Sequence, residues 1–122
     1  MKRILLIDDD EFFRDFVKQL LTRAGYEVLP APNGREGLKL LAQSPVDLVL
    51  TDIIMPEKEG LETIMEIRRQ QPETRIIAMS GGSRVSAACY LDMAAKLGAR
   101  RTLQKPIESD DLLRTVQETL AT

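Results

Sequence analysis

The chain has 122 residues, 43% hydrophobic and 30% charged, which suits one soluble domain with a real core and is too short for two. A net charge of −2 with no long basic run argues against direct nucleic-acid binding, and no apolar stretch reaches membrane-spanning length. The absence of histidine excludes a Ser-His-Asp triad, a Cys-His pair and any His-ligated metal. The single cysteine, Cys89, excludes an internal disulfide and the common zinc clusters.

Ile4-Leu5-Leu6-Ile7 opens the chain and reads as a buried parallel strand with no signal peptide ahead of it. Phe12, Phe13, Phe16, Val17, Leu20 and Leu21 then recur at helical spacing, and Gly25 is a natural stop. The three phenylalanines and Tyr26 are expected in core or half-buried packing rather than in a base-stacking platform. Tyr26 to Leu29 reads as the second strand. Asn33 followed by Glu36 resembles a helix N-cap pair, and that helix ends near Ser44-Pro45.

The third strand is predicted from Asp47 to Thr51. After a break at Met55-Pro56, Leu61, Ile64, Met65, Ile67 and Arg68 mark a helix that ends before Pro72. Ile76-Ile77-Ala78-Met79 is the fourth strand. Gly81-Gly82-Ser83 forms a flexible connection into a helix from about Val85 to Leu97, closed by Gly98. Cys89 on that alanine-rich helix reads as a small core residue rather than a reactive thiol, and it fits a reducing, cytoplasmic setting. The fifth strand is Thr102-Leu103-Gln104. Ser109 can cap a last helix whose first turn carries Asp110 and Asp111 and which buries Leu112, Leu113, Val116 and Leu120.

Five βα units with short connections imply a parallel sheet covered by helices on both faces. Parallel strands share one carboxyl-terminal edge, and ligands bind there in open α/β sheets. Asp8, Asp9, Asp52, Ser80 and Lys105 all stand just past a strand, so that edge collects three carboxylates, a hydroxyl and an ammonium. Carboxylates so close repel unless a cation sits among them, and oxygen-only ligands suit Mg²⁺. Asp52, after the central strand, is placed to attack phosphorus and form an acyl phosphate, with Lys105 and Ser80 binding the phosphoryl oxygens. Taken singly these residues have ordinary readings: Asp8 to Asp10 as helix caps, Asp52 as a turn aspartate, Ser80 as a loop or capping serine, Lys105 as a surface charge. The combination is far more specific than its parts.

Ile7-Asp8-Asp9-Asp10, Thr51-Asp52-Ile53-Ile54-Met55-Pro56, Gly60-Leu61-Glu62, Met79-Ser80-Gly81 and Lys105-Pro106 resemble, in order and spacing, the receiver domain of bacterial two-component response regulators. The resemblance covers residues 1–122 as one receiver domain. It implies a flavodoxin-like (βα)5 three-layer sandwich with strand order 2-1-3-4-5. It also implies an Asp52 phosphorylated by a histidine kinase or phosphotransfer protein, an Mg²⁺ held by Asp8, Asp9, Asp52 and the backbone carbonyl of Ile54, and Ser80 and Lys105 as the switch hydroxyl and ion-pairing lysine. The Lys105-Pro106 peptide is expected to be cis. Such a domain is a catalyst only toward its own aspartate. It acts on a downstream protein partner or on an effector domain of a longer chain, without nucleic acid or membrane contact of its own. Departures from the family pattern are Thr102 where an aromatic residue is usual, Glu59 for a commoner aspartate, a slightly longer stretch between Ser80 and Lys105, and Ile107 where an aromatic is common.

Two rivals stand beside this reading. A phosphatase of the haloacid dehalogenase type would use Asp8-x-Asp10, but it would need a second acidic pair late in the sheet and would give Asp52 no role. A pseudo-receiver would keep the fold as a binding scaffold and never be phosphorylated, an option that Thr102 keeps open.

Overall fold

A computed structural model describes residues 1–53, 59–81 and 84–121, with backbone alone at 59 and 84–90. Strands and helices alternate: β1 (Arg3–Ile7), α1 (Glu11–Arg23), β2 (Glu27–Ala31), α2 (Gly34–Gln43), β3 (Leu48–Asp52), α3 (Glu59–Gln70), β4 (Arg75–Ser80), α4 (Arg84–Leu97), β5 (Arg101–Gln104) and α5 (Ser109–Leu120). The strands form one parallel sheet in the order β2-β1-β3-β4-β5. This is the flavodoxin-like arrangement expected from the resemblance, with the order reversing between β1 and β3.

Side chains of a strand alternate between faces, and here the alternation divides the core in two. Leu5, Ile7, Val49, Ile53, Ile76 and Ala78 pack with Leu41, Ile64, Ile67 and Ala94 of α2, α3 and α4. Ile4, Leu6, Leu48, Leu50, Ile77 and Met79 pack with Val17, Leu21, Leu112 and Val116 of α1 and α5. Three layers result. The central strands are apolar on both faces because both faces are covered.

Local signals act as read from the sequence at several places. Asn33 Oδ1 accepts from the Glu36 backbone N–H at 2.9 Å and opens α2. Gly25 and Gly98, at the ends of α1 and α4, take positive φ of 99° and 121°. Lys105-Pro106 is cis. Gly60 lies so close to the chain at Ile53 that an added Cβ would stand 2.2 Å from its Cα, so this glycine lets α3 start against the end of β3.

Other expectations need correction. Strand β2 begins at Glu27 and runs on through Pro30 to Ala31, since an edge strand tolerates proline. Strand β3 is shifted one residue along, running from Leu48 to Asp52. Strand β5 is not buried: it is the other edge, and Arg101, Thr102 and Gln104 are exposed. Ser109 is the first residue of α5 rather than its cap. Glu108 occupies the cap position in an extended conformation and makes no side-chain capping bond. Phe13 and Tyr26 are half-buried as expected, but Phe12 and Phe16 are 88% and 50% exposed. Residues four apart share a helix face, and Phe12 and Phe16 belong to the face turned from the sheet. In α5, Thr115 and Thr119 are buried along with Leu112 and Val116, and the Thr119 hydroxyl donates to the Thr115 carbonyl at 2.7 Å. The Cys89 side chain, Gly82 and Ser83 lie outside the described residues.

Candidate functional site

The strand ends assemble most of the expected constellation. Asp8 directly follows β1, and its backbone N–H donates to the Ala31 carbonyl at 3.1 Å, which carries the β1–β2 pairing one residue past the strand. Its side chain is fully buried. Oδ1 accepts from the Asp10 N–H at 2.9 Å, and Oδ2 accepts from Lys105 Nζ at 2.8 Å. Asp52 ends the central strand, and its Oδ2 accepts from the same ammonium at 3.2 Å. Asp9 is exposed. One carboxylate oxygen from each of Asp8, Asp9 and Asp52 lies within 4.8 Å of the others.

Lys105 reaches the pocket because its backbone N–H donates to the Ser80 carbonyl at 2.7 Å, tying the end of β5 to the end of β4. Its side chain is only 18% exposed. Burial alone would lower the pKa of this ammonium. The hydrogen bond to Asp8 and the charges of Asp52 and Asp8 together outweigh burial and hold it above the ordinary lysine value. Ser80, also fully buried, ends β4, where its hydroxyl donates to the Gly81 carbonyl at 3.3 Å. The Ile54 carbonyl, expected as a further metal ligand, lies outside the described residues.

Two contributors were not foreseen. The Phe13 ring centroid lies 4.1 Å from Lys105 Nζ. Arg14 donates from a guanidinium nitrogen to the Asp8 carbonyl at 2.7 Å, fixing the start of α1 to the end of β1. Phe13 fits the apolar stripe of α1 and Arg14 looks like a surface charge, so helical spacing alone signals neither role. Asp10 is the N-cap of α1, its side chain accepting from the Phe13 N–H at 3.2 Å. The acidic run therefore serves both as cap and as pocket.

The donor set fits a hard divalent ion. It offers only carboxylate oxygens, gathered within 4.8 Å of one another, the oxygen-only ligand chemistry that Mg²⁺ takes. Among the described residues, no helix is long and apolar enough to cross a membrane.

Comparison with known proteins shows the family. The family model for the response regulator receiver domain matches residues 4–117. The chemotaxis protein CheY of Thermotoga maritima is 34% identical over 118 residues, covering 96% of each chain. The response regulator receiver protein CpdR of Brucella abortus is 36% identical, covering 98% of each. The transcriptional regulatory protein CpxR of Klebsiella pneumoniae is also 36% identical, but this chain spans only 50% of its length. Among solved structures, the response regulator TrrA of Thermotoga maritima in complex with Mg²⁺-BeF is 34% identical, with a TM-score of 0.85 over 98% of this chain and 99% of that one. A receiver domain protein from Clostridium thermocellum superimposes with a TM-score of 0.89 at 30% identity, over 99% of this chain and 95% of that one. The chain belongs to the response regulator receiver domain family of two-component signal transduction.

Proposed function

We propose that Asp52 is the phosphoacceptor of this receiver. A carboxylate oxygen of Asp52 attacks the phosphorus of a phosphohistidine on a partner histidine kinase or phosphotransfer protein. The P–N bond breaks, its electron pair returns to the imidazole, and an acyl phosphate remains on Asp52. The observation that carries this reading is the Asp52 carboxylate at the end of the central strand, 3.2 Å from Lys105 Nζ. Lys105 is the charge available to the transferred phosphoryl oxygens, and Ser80 supplies a hydroxyl at the neighbouring strand end. Asp8, Asp9 and Asp52 would hold Mg²⁺, which when bound neutralises negative charge on the phosphoryl group. The complex of TrrA with Mg²⁺-BeF supports the same chemistry here.

The domain acts only on its own aspartate, and its output passes by protein contact. The exposed Phe12 and Phe16 on α1, beside the Asp8–Asp10 turn, offer apolar surface for the phosphodonor protein. The chain spans nearly the full length of the CheY and CpdR relatives and half of CpxR, so either a separate partner or an effector domain in a longer chain fits downstream. The reading is tested by incubating the protein with Mg²⁺ and acetyl phosphate and mapping the modified residue by mass spectrometry. Label on Asp52, lost in a folded Asp52→Asn variant, is expected. Undiminished labelling of that variant, or label on Asp8, would overturn it, the second outcome favouring a dehalogenase-type phosphatase. A wild-type chain that takes no label would favour the pseudo-receiver.

A further inference from the structure

The Lys105 ammonium touches more than carboxylates. Its Nζ stands 4.1 Å from the centroid of the Phe13 ring, well inside cation–π range. This contact closes a circuit. Asp8 Oδ1 accepts from the Asp10 N–H at 2.9 Å, and Asp10 Oδ1 accepts from the Phe13 N–H at 3.2 Å. The Phe13 ring faces Lys105, and Lys105 Nζ returns to Asp8 Oδ2 at 2.8 Å. The Arg14 bond to the Asp8 carbonyl, 2.7 Å long, braces the same turn.

We propose that Phe13 is a positioning residue that holds the Lys105 ammonium over the Asp8–Asp52 pocket, ready for the phosphoryl oxygens. The proposal rests on Asp52 being the phosphoacceptor. Lysine carries its charge on a flexible four-carbon stem, and Lys105 follows an edge strand whose flanking residues are exposed. Its two carboxylate partners are shared with the cation site, so they do not by themselves fix it once a divalent ion competes for them. The Phe13 ring is not shared in this way. It is half-buried, packed against the core formed with α1 and α5, and set by the N-cap of α1. A charge already in position when phosphorus arrives needs no reorganisation during transfer.

Phe13→Leu keeps most of the apolar volume and removes the aromatic face, whereas Phe13→Tyr keeps the face. Two measurements apply to both variants and to wild type. The first is proton exchange of the ¹⁵N-labelled Lys105 ammonium with water, in Mg²⁺-free and in Mg²⁺-saturated protein, which reports how firmly it is held with and without the competing ion. The second is the labelling rate from acetyl phosphate at saturating Mg²⁺. In Phe13→Leu, ammonium exchange should quicken and labelling should slow by roughly three- to tenfold, the factor that matches a cation–π contact at a half-buried site. Phe13→Tyr should stay close to wild type. Should Phe13→Leu fail to fold, Phe13→Met takes its place.

Unchanged exchange and unchanged labelling in Phe13→Leu would overturn the proposal. Equal impairment of the leucine and tyrosine variants would also overturn it, since packing would then account for the effect. Should the wild-type chain take no label, the phosphoacceptor reading fails on its own, while ammonium exchange still decides what Phe13 does to Lys105.

Discussion

Asp9→Asn should make the Mg²⁺-free protein more stable, and the structure sets the size of the gain. Asp8 and Asp52 share the Lys105 ammonium, whereas Asp9 is the exposed member of the acidic group, with a carboxylate oxygen within 4.8 Å of theirs. At that separation, with an effective dielectric of about 40 to 80 for a partly solvated group, each like-charged pair costs about 1 to 2 kcal/mol. Asp9 faces two such charges, and the ammonium between them offsets about one. Neutralising Asp9 therefore relieves about 1 kcal/mol. The same change removes a metal ligand, so added Mg²⁺ should stabilise the variant far less than wild type, for which stability rises with the logarithm of ion concentration above Kd. Asp8→Asn should carry the opposite sign. It weakens the shorter of the two Lys105 bonds inside the pocket and leaves the ammonium to Asp52 alone, and a hydrogen bond between charged groups is worth about 1.5 to 3 kcal/mol, more than the net repulsion it relieves. Urea melts of wild type and both variants, in EDTA and in Mg²⁺, measure all of this. An Asp9→Asn protein less stable than wild type in EDTA would refute the reasoning, and so would a stabilising Asp8→Asn.

Lys105 sets a pH dependence whose sign follows from its raised pKa. The folded Mg²⁺-free protein holds this proton more tightly than the unfolded chain. The stabilisation is therefore complete below the ordinary lysine value of 10.5 and is lost as pH rises through the higher folded value. The stability gap between wild type and Lys105→Met should stay level from about pH 7 to pH 9 and narrow only in the alkaline range above 10.5; a gap that closes by neutral pH would contradict this assignment. Ser80 and Thr102 should respond unequally to beryllofluoride. The buried Ser80 hydroxyl can exchange its 3.3 Å bond to Gly81 for a charge-assisted one, whereas Thr102 is exposed on the edge strand and too small to move between buried and exposed positions. At about 1.5–3 kcal/mol, such a bond is large enough to reorder a loop. Changes in amide exchange at the β4–α4 connection should vanish in Ser80→Ala and persist in Thr102→Ala, and the reverse pattern would show that the signal takes another route.

How legible each element is in the sequence depends on how many of its faces are covered. Strands β1, β3 and β4 are covered on both sides, so each reads as an unbroken apolar run, and their ends delivered Asp8, Asp52 and Ser80 to the expected edge. The edge strands read less well. Pro30 looks like a stop, yet β2 continues through it because an edge residue need not donate to a further strand. On α1, six apolar residues at positions 12, 13, 16, 17, 20 and 21 are more than one face can bury. Periodicity marks the helix but cannot say which member of each adjacent pair turns outward. Val17 and Leu21 face the sheet, and Phe12 and Phe16 do not.

The same physics explains why the carboxylates and lysine were foreseen and the aromatic was not. Strand topology is a rule that gathers distant residues: once the strands are parallel, every residue just past a carboxyl-terminal end is a neighbour. No such rule links the first turn of α1 to the end of β5. That contact depends on how far a helix cap swings one side chain, a matter of two hydrogen bonds, Asp10 N–H to Asp8 and Phe13 N–H to Asp10. The acidic run that advertises a cation site is thus also the device that sets the helix, and the helix in turn brings an aromatic face to the lysine. Asp8 belongs to both, since it takes part in the acidic cluster and accepts from the Asp10 N–H, so a substitution there acts on the pocket twice, through the charge it removes and through the turn into α1 that the charge was holding.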